Sequence, residues 1–183
     1  MATASVPTWR PEPMHFTGRE HHSVDAKGRV SMPLRFRDVI FQSATAATAS
    51  QLMLVPWFGE CIRIFPVSCW EARMRVLEET LTEIDSFGDG EDESDLRRLI
   101  YGMAIEAQMD GHGRIVLAQH LRDEATIARD VYWVGLGDFL ELWDPARLHE
   151  RLSGENARRL RARLADLRRR RSSESGAPGA DPA

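Results

Sequence analysis

The sequence DAKGRVSMPLRFRD occupies residues 25–38, and its pattern returns as DGHGRIVLAQHLRD at residues 110–123. The two stretches align without a gap and carry the same residue at five of their fourteen positions. Several other positions keep an apolar side chain in both copies: Val30 with Ile115, Met32 with Leu117, and Phe36 with Leu121. Self-similarity at a fixed offset is typical of a repeated structural unit. The chain therefore contains two copies of one small unit.

A second block of similarity follows each of these stretches. ECIRIF at residues 60–65 resembles DFLELW at residues 138–143, so the offset between the copies falls from 85 to 78. The loop Ser43–Ser50, rich in alanine, serine and threonine, has room for the seven surplus residues of the first copy. Each unit thus spans about fifty residues.

The local chemistry of the repeat predicts a tight turn followed by a strand and a short helix. An aspartate side chain bonds nearby backbone N–H groups, and a glycine three residues later takes a positive φ without steric cost. In the strand after the turn, Val30 and Met32 lie on one face and Arg29 on the other, so we expect Arg29 to project from the core. Pro33 suits the start of a helix with an apolar stripe formed by Phe36, Val39 and Ile40.

Two further strands, Leu52–Pro56 and Ile62–Phe65, complete the unit as hairpin, short helix and hairpin. A unit this small leaves strand edges open and buries too little apolar surface to be stable alone. We therefore expect the two copies to pack against each other as a pseudo-dimer.

Outside the repeats, apolar spacing predicts a helix over Val67–Ser86, a second helix from Ser94 to about Glu106, and a solvated linker over residues 88–93. The chain is again predicted helical from Asp144, with a break at Ser153-Gly154. The predicted organisation has six segments: a leader without structure (1–13), the first unit (14–67), connecting helices with an acidic linker (68–103), the second unit (104–147), an arginine-rich helical segment (148–171), and a tail without structure (172–183).

Composition excludes some classes of protein and leaves others open. The formal net charge is −4, but residues 78–95 carry nine acids and no base, so the rest of the chain is net positive and nucleic-acid binding stays open. Cys61 and Cys69 have no partners at zinc-ligand spacing, which predicts reduced thiols and no metal site. No apolar run is long enough for a membrane span. We expect a cytoplasmic protein without a cofactor or a membrane partner.

Enzymatic activity is not expected either. The sequence has no serine or cysteine nucleophile placed with a histidine base, no phosphate-binding glycine loop and no recognisable pair of catalytic carboxylates. Gly135-Leu136-Gly137 lacks the third glycine and the following helix of a dinucleotide site. A small-molecule substrate is therefore not predicted.

The paired motifs resemble those of the MraZ family of bacterial transcription regulators. FTG at residues 16–18 and HSVDAKGRVSMP at residues 22–33 resemble its first signature, and MDGHGR at residues 109–114 with GDFLELWD at residues 137–144 resembles its second half. The resemblance implies an α+β, β-rich fold of two tandem swapped-hairpin units of the AbrB type, forming a pseudo-dimeric barrel with flanking helices. It also implies ring-shaped homo-oligomers in the nucleoid that bind repeated promoter sites of the operon for division and cell-wall genes.

The site residues fall into two groups. Residues predicted to contact double-stranded DNA belong to the basic segment His15–Asp38 of the first unit: Arg19, Lys27, Arg29 and Arg35. Residues predicted to have structural roles hold the turns or are shared between the repeats: Asp25, Gly28, Arg37, Asp110, Gly113, Arg114 and Arg122. His112 replaces Lys27 and Ala118 replaces Pro33 in the second copy, which makes the second turn the weaker candidate for DNA contact.

Two alternatives remain open from the sequence. The same fold class includes antitoxins, which bind a protein toxin and their own promoter, although these usually carry one unit and a disordered tail. The run Arg168–Arg171, with four arginines before it, either contacts nucleic-acid backbone or forms a solvated helix end, and the second interpretation is favoured.

Overall fold

The computed structural model describes residues 15–45, 48–85 and 91–174, and within these ranges the protein is α+β with eight strands and six helices. The predicted leader 1–13 lies outside the described residues, as does the tail from residue 175 onward. The strands are β1 (Phe16–Ser23), β2 (Arg29–Ser31), β3 (Gln51–Trp57), β4 (Cys61–Pro66), β5 (Ile105–Gln108), β6 (Arg114–Val116), β7 (Asp130–Gly137) and β8 (Leu140–Trp143). The helices are α1 (Leu34–Ser43), α2 (Val67–Asp85), α3 (Glu91–Ile100), α4 (Gln119–Glu124), α5 (Pro145–Leu152) and α6 (Gly154–Glu174).

The strands form two antiparallel sheets. Six of them make one sheet in the order β1-β7-β8-β4-β3-β5, and β2 pairs with β6 in a separate two-stranded ribbon. In the described part of the chain the larger sheet is open, with β1 and β5 at its edges, so the predicted closed barrel is not observed. The ribbon lies beside both edges, since β2 contacts β1 and β6 contacts β5, but in the described residues neither ribbon strand pairs with the larger sheet.

The strand order is unchanged when the two repeats are exchanged. β1 then takes the place of β5, β7 that of β3, and β8 that of β4. The register follows the same rule, since Val30 lies opposite its repeat equivalent Ile115 and the central pair of strands places Ile62 opposite Leu142 and Ile64 opposite Leu140. Sheet pairing is therefore made mostly between the repeats.

The first predicted hairpin is corrected by this pairing. β1 pairs with β7 and β2 with β6, so the two strands on either side of the first turn lie in different sheets. The backbone groups beside the turns are satisfied across the repeats: Met32 N–H donates to Gly113 O at 2.8 Å and Leu117 N–H donates to Gly28 O at 2.8 Å. A short strand with apolar residues gains more from a partner that shares its core than from its sequence neighbour.

One core is shared by both copies. The repeat-equivalent pairs Val30 and Ile115, Met32 and Leu117, and Phe36 and Leu121 are all buried in a single cluster with Leu54, Ile64 and Leu142 of the sheet. α1 begins directly after Pro33 and contributes Phe36 and Ile40 to this cluster, as the apolar stripe predicted. The helix contributes through burial, since its N-cap residue makes no side-chain cap hydrogen bond.

The opposite face of the sheet carries a second cluster. Side chains alternate between faces along a strand, so Val55 and Phe65 face away from the shared core and pack with Trp70, Ile100 and Phe139. α2 and α3 cover this face through Met74, Leu77 and Leu96. The observed α2 agrees with the predicted helix Val67–Ser86 within one residue.

The predicted helix from Ser94 to about Glu106 is wrong at both ends. α3 begins earlier, at Glu91, within the predicted linker, whose residues up to 90 lie outside the described ranges. The helix ends at Ile100, and Ile105–Gln108 forms β5 on the open edge of β3, with Leu52 opposite Ala107. Pairing with an otherwise open strand edge outweighs the weak helical propensity of this segment.

The described chain divides into two compact units, one ending at Pro145 and one beginning at Ala146. The second contains most of α5 and all of α6, and the predicted break is confirmed at Gly154, whose φ of +58° is incompatible with a continuous right-handed helix. α6 continues to Glu174, so the first three residues of the predicted unstructured tail, 172–174, are helical. Within the described residues, no helix combines the length and apolar character that crossing a membrane demands.

Candidate nucleic-acid interface

The turn of the first repeat is built by the carboxylate of Asp25. Its Oδ1 accepts the backbone N–H groups of Lys27 and Arg29, each at 2.9 Å. Its Oδ2 accepts the Arg29 side chain through Nε at 2.8 Å and Nη2 at 2.7 Å. Gly28 closes the turn with φ +75°, a conformation that costs other residues steric energy. One carboxylate thus fixes both the backbone of the turn and the arginine beyond it.

The second repeat reproduces this geometry residue by residue. Asp110 Oδ1 accepts the N–H groups of His112 at 2.8 Å and Arg114 at 2.9 Å, and Oδ2 accepts Arg114 Nε at 2.9 Å. Gly113 has φ +76°. The two turns therefore differ in the side chain that they present at the tip and not in their backbone.

Both turn carboxylates are held in their ionised form. The Arg29 side chain, with the backbone N–H of Arg29 and Lys27, lowers the pKa of Asp25 from 3.8 to about 2. The pKa of Asp110 is likewise lowered to about 2, first by the backbone N–H of Arg114 and then by that of His112 and by the Arg114 side chain. Hydrogen bonds donated to a carboxylate favour its charged form. At neutral pH both turns carry an intact aspartate–arginine pair.

Lys27 and Arg29, which are predicted to contact DNA from the same turn, differ in how far their side chains are held by the protein. Lys27 is exposed at the tip, and among the described residues its ammonium group has no ion pair. Arg29 is half-buried, and its guanidinium returns to Asp25, a contact that the sequence did not predict. An arginine oriented by a carboxylate still has N–H groups on its other edge that are able to meet a base or a phosphate.

Arg37 and Arg122, the arginines shared between the repeats, contact backbone near the turns. Arg37 Nη1 donates to His112 O at 3.3 Å in the opposite repeat, and its side chain lies against Gly113. Arg122 Nε donates to Leu117 O at 3.3 Å, and its guanidinium is also held by Gln119 Oε1 and lies near Gly28. Each arginine thus packs beside the turn glycine of the other copy.

Arg19 and Arg35 form a group of their own around β1. Arg35 is paired with Glu20 and lies over Gly18, where an added Cβ would come within 2.7 Å of its Nη1. The Arg19 guanidinium lies 4.7 Å from the centre of the Tyr132 ring, a cation–π distance. Lys27 and Arg29 thus share a hydrogen-bond partner, because the Asp25 carboxylate accepts the backbone N–H groups of both residues. Arg35 is instead held beside β1 by its ion pair with Glu20.

Three partners in these contacts were missed from the sequence. Glu20 neutralises Arg35, Tyr132 supports Arg19, and Gln119 orients Arg122. Tyr132 lies opposite His21 where β1 pairs with β7, and Glu20 of β1 forms an ion pair with Arg35 of α1. Both contacts join segments that are distant in the sequence or lie in different elements, so local patterns do not predict them. Gln119 lies three residues before Arg122 in α4, a spacing that places side chains on one helix face and was available as a signal.

The described residues contain no group of three or more histidine, cysteine, aspartate or glutamate side chains able to hold a metal ion. Burial and the neighbouring Glu141 carboxylate raise the pKa of the Cys61 thiol, and burial with Asp138 raises that of Cys69. A raised thiol pKa leaves little thiolate at neutral pH, so neither cysteine has the character of a nucleophile.

Comparison with known proteins gives a consistent set of relatives. A family model described as "MraZ protein, putative antitoxin-like" matches residues 100–168. A protein of Escherichia coli strain K12 named "Transcriptional regulator MraZ" is 31% identical over 137 residues, covering 75% of this chain and 84% of the relative. Proteins of the same name are 33% identical over 131 residues in Acidovorax sp. strain JS42 (72% and 83% covered) and 31% identical over 156 residues in Roseiflexus sp. strain RS-1 (84% and 99% covered).

Proposed function

The chain belongs to the MraZ family, and from this membership we propose that it is a transcription regulator that binds double-stranded DNA sequence-specifically and acts without enzymatic turnover. The observation that carries the proposal is the pair of Asp-x-x-Gly-Arg turns, identical in backbone geometry, of which only the first presents an exposed lysine. Rigid turns with exposed cations are suited to phosphates and base edges. The names of the relatives agree with regulation rather than catalysis.

Lys27 and Arg29 are the proposed centre of the DNA contact, with Arg19 and Arg35 at its margin. In this assignment Lys27 contacts phosphate, and Arg29 presents to the DNA the guanidinium edge that Asp25 does not occupy. Arg35 has a smaller role because it pairs with Glu20 and lies over Gly18, both in β1, and does not belong to the turn. Asp25, Gly28, Arg37 and their equivalents Asp110, Gly113, Arg114 and Arg122 maintain the turns.

The proposed domain organisation is two swapped-hairpin units of the AbrB type, residues 14–67 and 104–147, joined as a pseudo-dimer. Four strand pairs between the repeats support it: β1 with β7, β2 with β6, β3 with β5, and β4 with β8. Arg63 and Glu141 lie opposite each other at repeat-equivalent positions of the central pair and form an ion pair at 3.1 Å. If two copies of the same unit paired in this way, two arginines or two glutamates would face each other at this position. Facing like charges are destabilising, so each unit is expected to pair with the other repeat and not with a second copy of itself.

We propose that copies of the chain assemble into a ring-shaped homo-oligomer that binds repeated promoter elements of the division and cell-wall operon in the nucleoid. An apolar cavity of about 470 Å³ on the α2 face supports a subunit contact; its lining includes Val55, Trp57, Phe65, Met74 and Val76. Val76 is 63% exposed, and Phe58, whose ring centre lies 4.6 Å from that of Trp57, is 56% exposed. Contiguous exposed apolar surface of this kind is typical of an interface.

A titration on two duplexes tests the proposed function. One carries the DNA upstream of the gene for this chain, and the other carries the same bases in scrambled order. At physiological salt we expect the upstream DNA to bind about a thousandfold more tightly. Light scattering on the same samples should give a multiple of the 20.7 kDa chain mass. Equal affinity for both duplexes would contradict specific binding, and a mass of one chain would contradict the assembly.

A second candidate function is an antitoxin-type module that binds a protein toxin and its own promoter. The description of the matching family model as antitoxin-like is the observation that favours it. The two candidates are separated by co-expression of the chain with the protein encoded beside it. If the protein encoded beside the chain stopped growth and the chain restored growth by forming a stable complex with it, the antitoxin would be favoured. If that protein were harmless when expressed alone, the antitoxin role would be excluded for the pair.

A further inference from the structure

Many arginines of the unit that ends at Pro145 are paired with carboxylates of the same chain. Seven of the twelve arginines described in this unit form ion pairs: Arg29 with Asp25, Arg35 with Glu20, Arg63 with Glu141, Arg73 with Asp138, Arg97 with Glu78, Arg98 with Asp95, and Arg114 with Asp110. A guanidinium group that faces a carboxylate adds little net charge, although its outer edge is still able to meet a base or a phosphate. Two of the five remaining arginines, Arg37 and Arg122, already donate to backbone carbonyls near the turns. Most of the arginines of this unit are thus compensated or engaged within it.

α6 has the opposite character. Its sequence carries eight arginines against three acids, in a chain whose formal net charge is −4. Arg158, Arg159, Arg161 and Arg163 are all exposed. Of these, Arg159 donates to the neutral Asn156 side chain at 2.9 Å, and the other three have no ion pair within the described residues. The positive charge of this helix is thus left uncompensated along its first half.

The arrangement of these arginines fits a polyanion better than a single apolar partner. At 100° per residue, Arg158, Arg159, Arg161 and Arg163 point in four directions around the helix, whereas Leu160, Leu164 and Leu167 share one stripe. The stretch 158–171, which holds all eight arginines, rises about 20 Å. A DNA duplex carries about one charge per 1.7 Å of its axis, so several phosphates lie within reach of the helix at once.

We propose that α6 is a second DNA-binding element, which contacts the phosphate backbone irrespective of sequence. This inference rests on the proposed function and adds to it a source of sequence-independent affinity beyond the single phosphate contact assigned to Lys27. Guanidinium groups form charge-assisted hydrogen bonds to phosphate oxygens, and each phosphate that is neutralised releases condensed counterions. The turns of the first unit then supply sequence preference, and α6 supplies affinity for any duplex.

The test is the salt dependence of binding for the full-length variant R158Q/R159Q/R161Q/R163Q. Glutamine has nearly the helix propensity of arginine, so α6 should keep its helical circular dichroism signal. On a scrambled duplex we expect the slope of log affinity against log salt to fall by roughly three to four per engaged chain, and affinity at physiological salt to fall at least about tenfold. The ratio of promoter to scrambled affinity should stay unchanged, because phosphate contacts carry no sequence information.

Two matched controls separate α6 from net charge and from assembly. The four-lysine variant R158K/R159K/R161K/R163K should keep most of the slope, and Arg98→Gln, which removes a cation already paired with Asp95, should leave the slope at its wild-type value. Leu160→Gln/Leu164→Gln/Leu167→Gln should leave both the salt slope and the mass by light scattering unchanged.

Three results would overturn the proposal. The first is a wild-type slope in the glutamine variant. The second is a fall in oligomer mass together with DNA affinity in the leucine variant, which would make α6 a subunit contact. The third is glutamine-sensitive binding of α6 to phosphatidylserine vesicles with unaltered DNA binding, which would make it a lipid-binding helix. If wild type bound promoter and scrambled DNA equally but the slope still fell, the proposed function would fail and the contact by α6 would stand.

Discussion

The two turns of the molecule, at Asp25–Arg29 and at Asp110–Arg114, have the same hydrogen bonds to within about 0.2 Å and the same glycine φ to within one degree. The aspartate, glycine and arginine that make these bonds are identical in both copies, whereas the residue at the tip is Lys27 in one and His112 in the other. The comparison separates two demands: the fold requires the shared residues, and we expect the difference between the turns in DNA binding to follow from the residue at the tip.

The surroundings of the turns are less symmetric than the turns themselves. Arg122 makes a bond to Leu117 O and a second one to Gln119 in its own helix, whereas Arg37 makes a single long bond to His112 O. Arg37 Nε is buried and has no hydrogen-bond partner among the described residues. Arg37 also packs more closely on its glycine, since a Cβ at Gly113 would lie 2.5 Å from Arg37 Cδ, whereas a Cβ at Gly28 would lie 3.6 Å from Arg122 Nη2 and 3.1 Å from Leu117 O.

The largest expected effect comes from substituting the two glycines. Gly113→Ala should lower the free energy of unfolding by about 2–4 kcal/mol, because it adds a close contact with Arg37 to the cost of a positive φ. Gly28→Ala should cost about 1–2 kcal/mol, mostly from the backbone conformation. Urea unfolding of both variants measures the difference. Gly111→Ala is the control, because no atom lies within 4 Å of its added Cβ; equal losses at Gly28 and Gly113 would mean that Arg37 moves aside freely.

The tips of the turns should differ in DNA binding rather than in stability. Lys27→Ala should weaken binding to all duplexes alike and reduce the salt slope by about one per engaged chain, as expected for a phosphate contact. His112→Ala should change neither quantity measurably at pH 7.5. Fluorescence anisotropy titrations at several salt concentrations measure both. A slope that falls equally in the two variants would show that both turns meet DNA.

The turn carboxylates should contribute equally to acid sensitivity. Each has a folded pKa of about 2 against an ordinary value of 3.8, so its stabilising effect is present above pH 4 and is lost as the pH falls toward 2. Asp25→Asn and Asp110→Asn should each reduce the fall in melting temperature over this range by a similar amount. Thermal melts followed by circular dichroism at pH 7, 4, 3 and 2 are the measurement. If one variant removed all of the pH dependence, the equivalence of the turns would be broken.

The smallest expected effect concerns the residue that precedes each short helix. Pro33 and Ala118 have φ −54° and −55°, both within the range of proline. Ala118→Pro should therefore stabilise the chain by about 0.4–1 kcal/mol by restricting the unfolded state, and Pro33→Ala should destabilise it by a similar amount. Chemical denaturation of the two single variants and of the double variant Pro33→Ala/Ala118→Pro measures these changes in stability. A loss of stability in Ala118→Pro would reveal a steric difference between the copies.

Much of the local structure could be predicted from the sequence because it depends on near neighbours. The turns follow from an aspartate and a glycine three residues apart, and α2 follows from apolar residues at steps of three and four. The repeat also predicted which positions are buried, since Val30, Met32 and Phe36 share one core with their equivalents. These features need only the chemistry of single residues and the periods of helices and strands.

The remaining features depend on pairings between distant parts of the chain. No local sequence pattern predicts the pairing of β2 with β6 or the end of α3 at Ile100. Each depends on a strand from a distant part of the chain: β6 pairs with β2, and β3 pairs with β5. The candidate site shows the same limit: alternation along the strand placed Arg29 on the outer face, but the return of its guanidinium to Asp25 depends on the path of the turn. Glu20 reaches Arg35 only because β1 packs beside α1.

Arg29→Ala and Arg114→Ala, compared in stability and in DNA binding, test most directly the claim that the two turns share a structural role while only the first meets DNA. Both variants should lose the same amount of melting temperature, because each removes an equivalent pair with a turn aspartate. Arg29→Ala should also weaken promoter binding by about ten- to a hundredfold, the value of a base contact of roughly 1–3 kcal/mol, whereas Arg114→Ala should bind within about twofold of wild type. Equal losses of promoter affinity in two folded, assembled variants would contradict the claim.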